Sequence, residues 1–101
     1  MKFGLSDTVI KELQDIFRHH SNIEKVLIFG SRSKGNFRAG SDIDLAVIGK
    51  GIDYSQLLTI RCEIDDLDML YSVDLLDYQK KIGTPLGDHI DRVGQIFYEA
   101  A

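Results

Sequence analysis

The stretch Phe29 to Gly49, FGSRSKGNFRAGSDIDLAVIG, decides how this chain is read. It starts at the end of one apolar run and finishes inside another, with a polar, glycine-punctuated segment between. Glu24 to Gly30, EKVLIFG, is continuous, branched and aromatic, the pattern of a strand covered on both faces. Asp42 to Ile48, DIDLAVI, reads as the second strand. Ser31 opens the polar segment between them, and a short helix from Ser31 to a stop at Gly35 is expected.

Outward from this stretch the pattern continues. Val9, Ile10, Leu13, Ile16 and Phe17 recur at helical spacing behind a cap at Ser6 or Asp7, which predicts a helix from about Ser6 to His20. After the Gly49-Lys50-Gly51 turn, Asp53 can cap a second long helix with Leu57, Ile60, Ile64 and Leu67 along one stripe. Tyr71 to Leu76, YSVDLL, predicts a third strand. Leu86 to Arg92 predicts a short helix stopped at Gly94, and Gln95 to Tyr98 a last short strand. The alternation of helices and strands predicts an α/β (α+β) domain, a small mixed β-sheet with helices packed on it. With 101 residues, a single domain over 1–101 is expected.

The carboxylates are placed where stability alone would not put them. Asp42 and Asp44 are two apart on a strand, so their side chains share a face with Cα atoms roughly 7 Å apart. Two such charges on an apolar strand repel and desolvate badly, and a divalent cation would remove the conflict. The alternative is a pair at a fraying strand end, facing water. Asp74 interrupts a second apolar strand and can join them if the two strands are neighbours. Three converging carboxylates are the usual scaffold for Mg²⁺-assisted phosphoryl or nucleotidyl transfer, with the third placed to take a proton from an attacking hydroxyl.

The loop supplies the complement. Gly30 lets a phosphate approach the backbone, and Ser31, opening a helix, offers a hydroxyl and free N–H groups. Arg32, Lys34 and Arg38 can neutralise a triphosphate.

Gly30-Ser31, ten intervening residues, then Asp42-Ile43-Asp44 resembles the G-S-x(10)-D-x-D signature of the nucleotidyltransferase superfamily related to DNA polymerase β. The fuller text is similar to its minimal nucleotidyltransferase (MNT) group, whose usual GSRARG stands here as GSRSKG. Lys34 keeps the charge and loses the bidentate fork of an arginine. Asp74 sits where the group has its third acidic residue. The resemblance runs from the first helix to the final QIFY. It implies a polymerase β-like catalytic core, a two-metal Mg²⁺ site on Asp42, Asp44 and Asp74, and ATP held by Gly30, Ser31, Arg32 and Lys34. It also implies a partner, a small helical HEPN-type protein acting as toxin to the MNT antitoxin, with AMP transferred to a tyrosine of that partner. No length is left for an acceptor domain, so the acceptor wall is expected from another chain, as a hetero-oligomer or a homo-oligomer. Two rivals stand beside this reading. One is an antitoxin that blocks its partner by contact alone; the other transfers nucleotides to a small molecule.

Composition narrows the rest. A formal charge of −4 argues against general nucleic-acid binding. The apolar runs are too short to span a membrane, and Met1 to Leu5 is followed at once by Ser6 and Asp7 with no signal-peptide core, so a cytoplasmic protein is expected. A single cysteine, Cys62, excludes an internal disulfide and reads as a small packed residue. His19, His20 and His89 lack a metal-ligand spacing and read as surface or helix-end residues. Asp65, Asp66 and Asp68 read as a solvated face, Asp77 as a possible assistant after the third strand, and Phe37 as a cover for the nucleotide or a contact for a partner.

Overall fold

Each long helix starts on the side chain expected to cap it. Ser6 accepts a hydrogen bond from the Val9 N–H at 3.3 Å and begins α1 (Asp7–Arg18). Asp53 accepts from the Gln56 N–H at 2.8 Å and begins α3 (Tyr54–Asp65). Thr84 does the same for α4 (Pro85–Val93), with Pro85 in the first turn where its missing N–H costs nothing. The remaining elements of this computed structural model are β1 (Ile23–Phe29), α2 (Ser31–Lys34), β2 (Ile43–Gly49), β3 (Val73–Asp77), a 3₁₀ turn over Tyr78–Lys81, and β4 (Gln95–Glu99). The structure describes residues 2–101; Met1 lies outside them.

The strands form a single mixed sheet in the order β3-β2-β1-β4. Strand β1 is antiparallel to both β2 and β4, and β2 is parallel to β3. The parallel pair follows from its connection, because a strand can return in the same direction only through a crossover, here carrying α3. Side-chain alternation then sorts the sheet into two faces. Val26, Ile28, Ile43, Leu45, Val47 and Val73 pack in one core with Leu13 and Phe17 of α1 and Ile60 and Ile64 of α3. Phe29 and Ala46 face the other way and pack with Ile90 of α4, flanked by Leu27 and Leu76.

Several boundaries differ from the expected ones, each for a local reason. Helix α1 stops at Arg18, with His19 as its cap and the next N–H, of His20, bonded to Phe17 O. The third strand starts at Val73, two residues later than expected; Ser72 O anchors its start by accepting from the Ile43 N–H at 2.9 Å, while the Tyr71 ring packs on the Arg32 guanidinium. Asp42 sits one residue before β2 and is exposed. The 3₁₀ turn was not expected; Asp77 closes it by accepting from the Gln79 N–H at 3.1 Å, which occupies the side chain read as a site assistant. Cys62 is exposed on α3, not packed.

Candidate active site

Two different strand pairings bring three strand ends to one place. Because β1 and β2 are antiparallel, the end of β1 lies beside the start of β2, with Phe29 opposite Asp44. Because β2 and β3 are parallel, their starts lie side by side, with Asp44 opposite Asp74. Asp44 and Asp74 share the sheet face of Ala46 and Leu76, the face that α4 covers further along the strands.

The electrostatics of Asp44 record this crowding. Its carboxyl is held above the ordinary carboxylate range, first by burial, then by the negative charges of Asp74 and Asp42 and a hydrogen bond to Asp74. His89 acts in the opposite sense. Asp74 is exposed, and its Oδ1 has the Arg61 Nη2 of α3 at 3.9 Å. Strand β3 is an edge strand, so α3 can send Arg61 round it to the carboxylates. A cavity of about 440 Å³ opens on this side, lined by Asp42, Asp74, Arg61, Asp65, Asp68 and Tyr71 among others.

Gly30 links β1 to α2 with φ 76° and ψ −154°, a conformation that essentially only glycine adopts without strain. A Cβ there would also collide with the Asp44 carboxylate. Backbone and carboxylate are thus packed as closely as a missing side chain allows. We expect Gly30→Ala to push Asp44 aside and strain the turn. Activity should fall about 100-fold, and stability by about 1–3 kcal/mol, measurable together by a transfer assay and urea unfolding. Helix α2 follows, leaving the N–H groups of its first turn without intrahelical partners beside Ser31. It is pinned by Ser33, whose hydroxyl donates to Val93 O and whose carbonyl accepts from Gln95 Nε2 at 2.7 Å. Lys34 and Arg38 are exposed.

Arg32 is a correction to the sequence reading. It is 2% exposed. Its Nη1 donates to Phe3 O at 2.8 Å, its Nε to Ser41 O at 3.1 Å, and its Nη2 to Ser41 O at 2.9 Å and Ala39 O at 3.3 Å. The Tyr71 and Phe37 rings lie 4.9 and 5.1 Å from the guanidinium carbon. Four of its five N–H donors are spent on the chain itself and the side chain is buried, so Arg32 fastens the loop that carries Asp42 and has no fork left for phosphate. Phe37 is likewise engaged with Arg32.

Carboxylate oxygens are hard ligands that suit Mg²⁺ or Mn²⁺. Among the described residues no three His, Cys, Asp or Glu side chains close round one point. Asp42, Asp44 and Asp74 are electrostatic neighbours at the strand ends, so a cation there would draw their carboxylates in and fill the rest of its shell from substrate phosphates. Sequence reasoning had no signal for Arg61 or for His89, whose ring stands edge-on to Phe29 at 6.4 Å; both reach the site only through the tertiary arrangement.

This sheet, with its acidic strand ends beside a glycine turn, is a nucleotidyltransferase-type domain of the polymerase β-like fold. Residues 11–101 match the family described as "Polymerase beta, Nucleotidyltransferase", and the chain belongs to it. Among solved structures it is similar to one described as the toxin-antitoxin with AMP-PNP, at 25% identity and a TM-score of 0.67, covering 95% of this chain and 75% of that one. A structure of a mutant of the toxin-antitoxin MntA-HpeT shares the fold, at 23% identity and a TM-score of 0.65 over the same shares of the two chains. Comparison with curated proteins gives no match. Among the described residues no helix is long and apolar enough to cross a membrane.

Proposed function

We propose that this chain, as one catalytic domain over 1–101, transfers AMP from ATP to a tyrosine hydroxyl of a small helical HEPN-type partner, as the antitoxin of a toxin–antitoxin pair. The observation that carries the reading is the register pair Asp44–Asp74, set beside the Gly30 turn at the sheet end where β1 finishes and β2 and β3 begin. The family and a neighbour described as a toxin-antitoxin with an ATP analogue support it.

In this reading Asp42 and Asp44 hold Mg²⁺, with Asp74 completing the set. When bound, the cation supplies Lewis acidity at the phosphate oxygens. The Gly30 and Ser31 backbone and the Ser31 hydroxyl hold the β- and γ-phosphates, with Lys34 as the neighbouring charge. The acceptor oxygen bonds to the α-phosphorus while the bridge to the β-phosphate breaks, and pyrophosphate leaves with that electron pair. Asp74 takes the acceptor proton. Substrate, cation and partner of this kind belong to the cytoplasm.

The test uses the protein with its helical partner and ATP. The partner should gain about 329 Da for each AMP added, only with Mg²⁺ or Mn²⁺ present, and lose its activity in step. A chelator should abolish ATP binding in calorimetry, because the carboxylates alone repel a triphosphate. A partner silenced without any mass change would make this a contact antitoxin and overturn the transfer.

A further inference from the structure

We infer that His89 is a nucleotide-contacting residue, its imidazole N–H donating to an oxygen of the pyrophosphate that leaves. The inference rests on the nucleotidyl-transfer reading above and assigns one more side chain to it.

Placement carries it. His89 is a half-buried residue of α4, and α4 covers the sheet face that also bears Asp44 and Asp74. Its ring lies 6.4 Å from that of Phe29 with an interplanar angle of 82°. Phe29 is the register partner of Asp44 and immediately precedes Gly30. His89 therefore stands over the end of β1, at the start of the glycine turn and on the β1 side of Asp44. Asp74 lies across the other seam, on β3, where the 440 Å³ cavity opens between α3 and the start of β3. Asp44 is thus flanked by a carboxylate on one side and an imidazole on the other.

In-line displacement at phosphorus sets the attacking and leaving oxygens on opposite sides of the centre. With Asp74 on the side of the attacking hydroxyl, His89 falls on the side of the leaving group. There the departing bridge oxygen takes up the electron pair of the broken bond, and an N–H donor offsets that charge without surrendering its proton. His89 is available for this, because no hydrogen bond to either ring nitrogen is found among the described residues. The charge of His89 lowers the Asp44 pKa against the other influences on it, which agrees with this placement. A ring serving only to pack against Phe29 would gain nothing from its two nitrogens.

The experiment compares His89→Phe, which keeps a flat apolar ring, with His89→Gln, which keeps an N–H donor. ATP and AMP binding are measured by calorimetry in Mg²⁺, beside thermal unfolding of each variant. We expect His89→Phe to weaken ATP about 10-fold and to leave AMP unchanged, since AMP lacks the leaving group. His89→Gln should hold ATP better than His89→Phe, with melting temperatures near that of the parent. Unchanged ATP affinity in His89→Phe overturns the inference, as does equal weakening of AMP, or a Gln variant no better than the Phe variant. Parent protein that binds ATP while His89→Phe makes no difference refutes this assignment alone. Parent protein that binds no ATP in Mg²⁺ refutes the transferase reading with it.

Discussion

Asp44→Asn is expected to abolish nucleotidyl transfer, by about a thousandfold or more, and at the same time to make the metal-free protein more stable. The two effects have one origin. Asp44 lies between Asp42 and Asp74 and is partly buried, so its negative form is disfavoured until a cation arrives. A carboxyl whose folded pKa is raised contributes stability that is fully present below the unfolded pKa. That stability is lost as pH rises from there through the folded pKa. Above the folded pKa the charged carboxylate is a liability to the fold, and the neutral amide relieves it. The melting temperature of metal-free Asp44→Asn should therefore exceed that of the parent at pH 7, and the gap should close in acid as the parent's own carboxyl takes up its proton. Mg²⁺ or Mn²⁺ should raise the parent's melting temperature and leave that of the variant nearly unchanged. A lower melting temperature for the metal-free variant at pH 7 would make Asp44 a structural residue.

Arg32→Ala should destabilise the fold by about 3 kcal/mol or more, since it strips three carbonyls of a charged donor and empties a fully enclosed site. For a domain of this size that is on the order of 15 °C in melting temperature. The stack between Tyr71 and Phe37 adds to the loss. Arg32→Lys should recover little, because one ammonium cannot serve Phe3, Ala39 and Ser41 at their separate positions. ATP binding should fall in both variants in proportion to unfolding of the loop before Asp42. A phosphate ligand would behave otherwise: the variant would keep its unfolding midpoint in urea and lose only its affinity for ATP.

Arg32 also marks where sequence reading stops. A basic side chain in a glycine-rich loop reads alike whether it reaches out to phosphate or folds back onto its own carbonyls. Only the tertiary position of Phe3, Tyr71 and Ser41 decides between them. The helices and strands were legible because their signals are local: the caps at Ser6 and Asp53, the apolar runs ending at Gly30 and Ile48, the stop at Gly35. Sheet order is not local, so the sequence could make Asp74 a neighbour of Asp44 only conditionally. The 3₁₀ turn Tyr78–Lys81 has no periodicity to betray it, and Cys62 shares a helix with apolar neighbours yet lies on its open side. His89 and Arg61 come to the carboxylates from α4 and α3, elements whose packing on the sheet no spacing announces.

The meeting of the Phe29, Asp44 and Asp74 positions at one end of the sheet bears on how the protein comes into being. The β1–β2 pair closes over a loop of modest length, but Asp74 arrives only when the chain has passed through α3 and laid down the parallel edge strand. The clasp from Ser33 to Val93 spans 60 residues and closes still further along the chain. Contacts between distant segments carry the largest chain-entropy cost before they are rewarded, so they are among the last to form. A chain still emerging from the ribosome, with β1 and β2 paired and β3 not yet made, has its acidic pair without the third carboxylate. In the proposed reading, the carboxylate set is therefore complete only when the fold is, and a chain with β3 still unmade would lack the group assigned to take the acceptor proton.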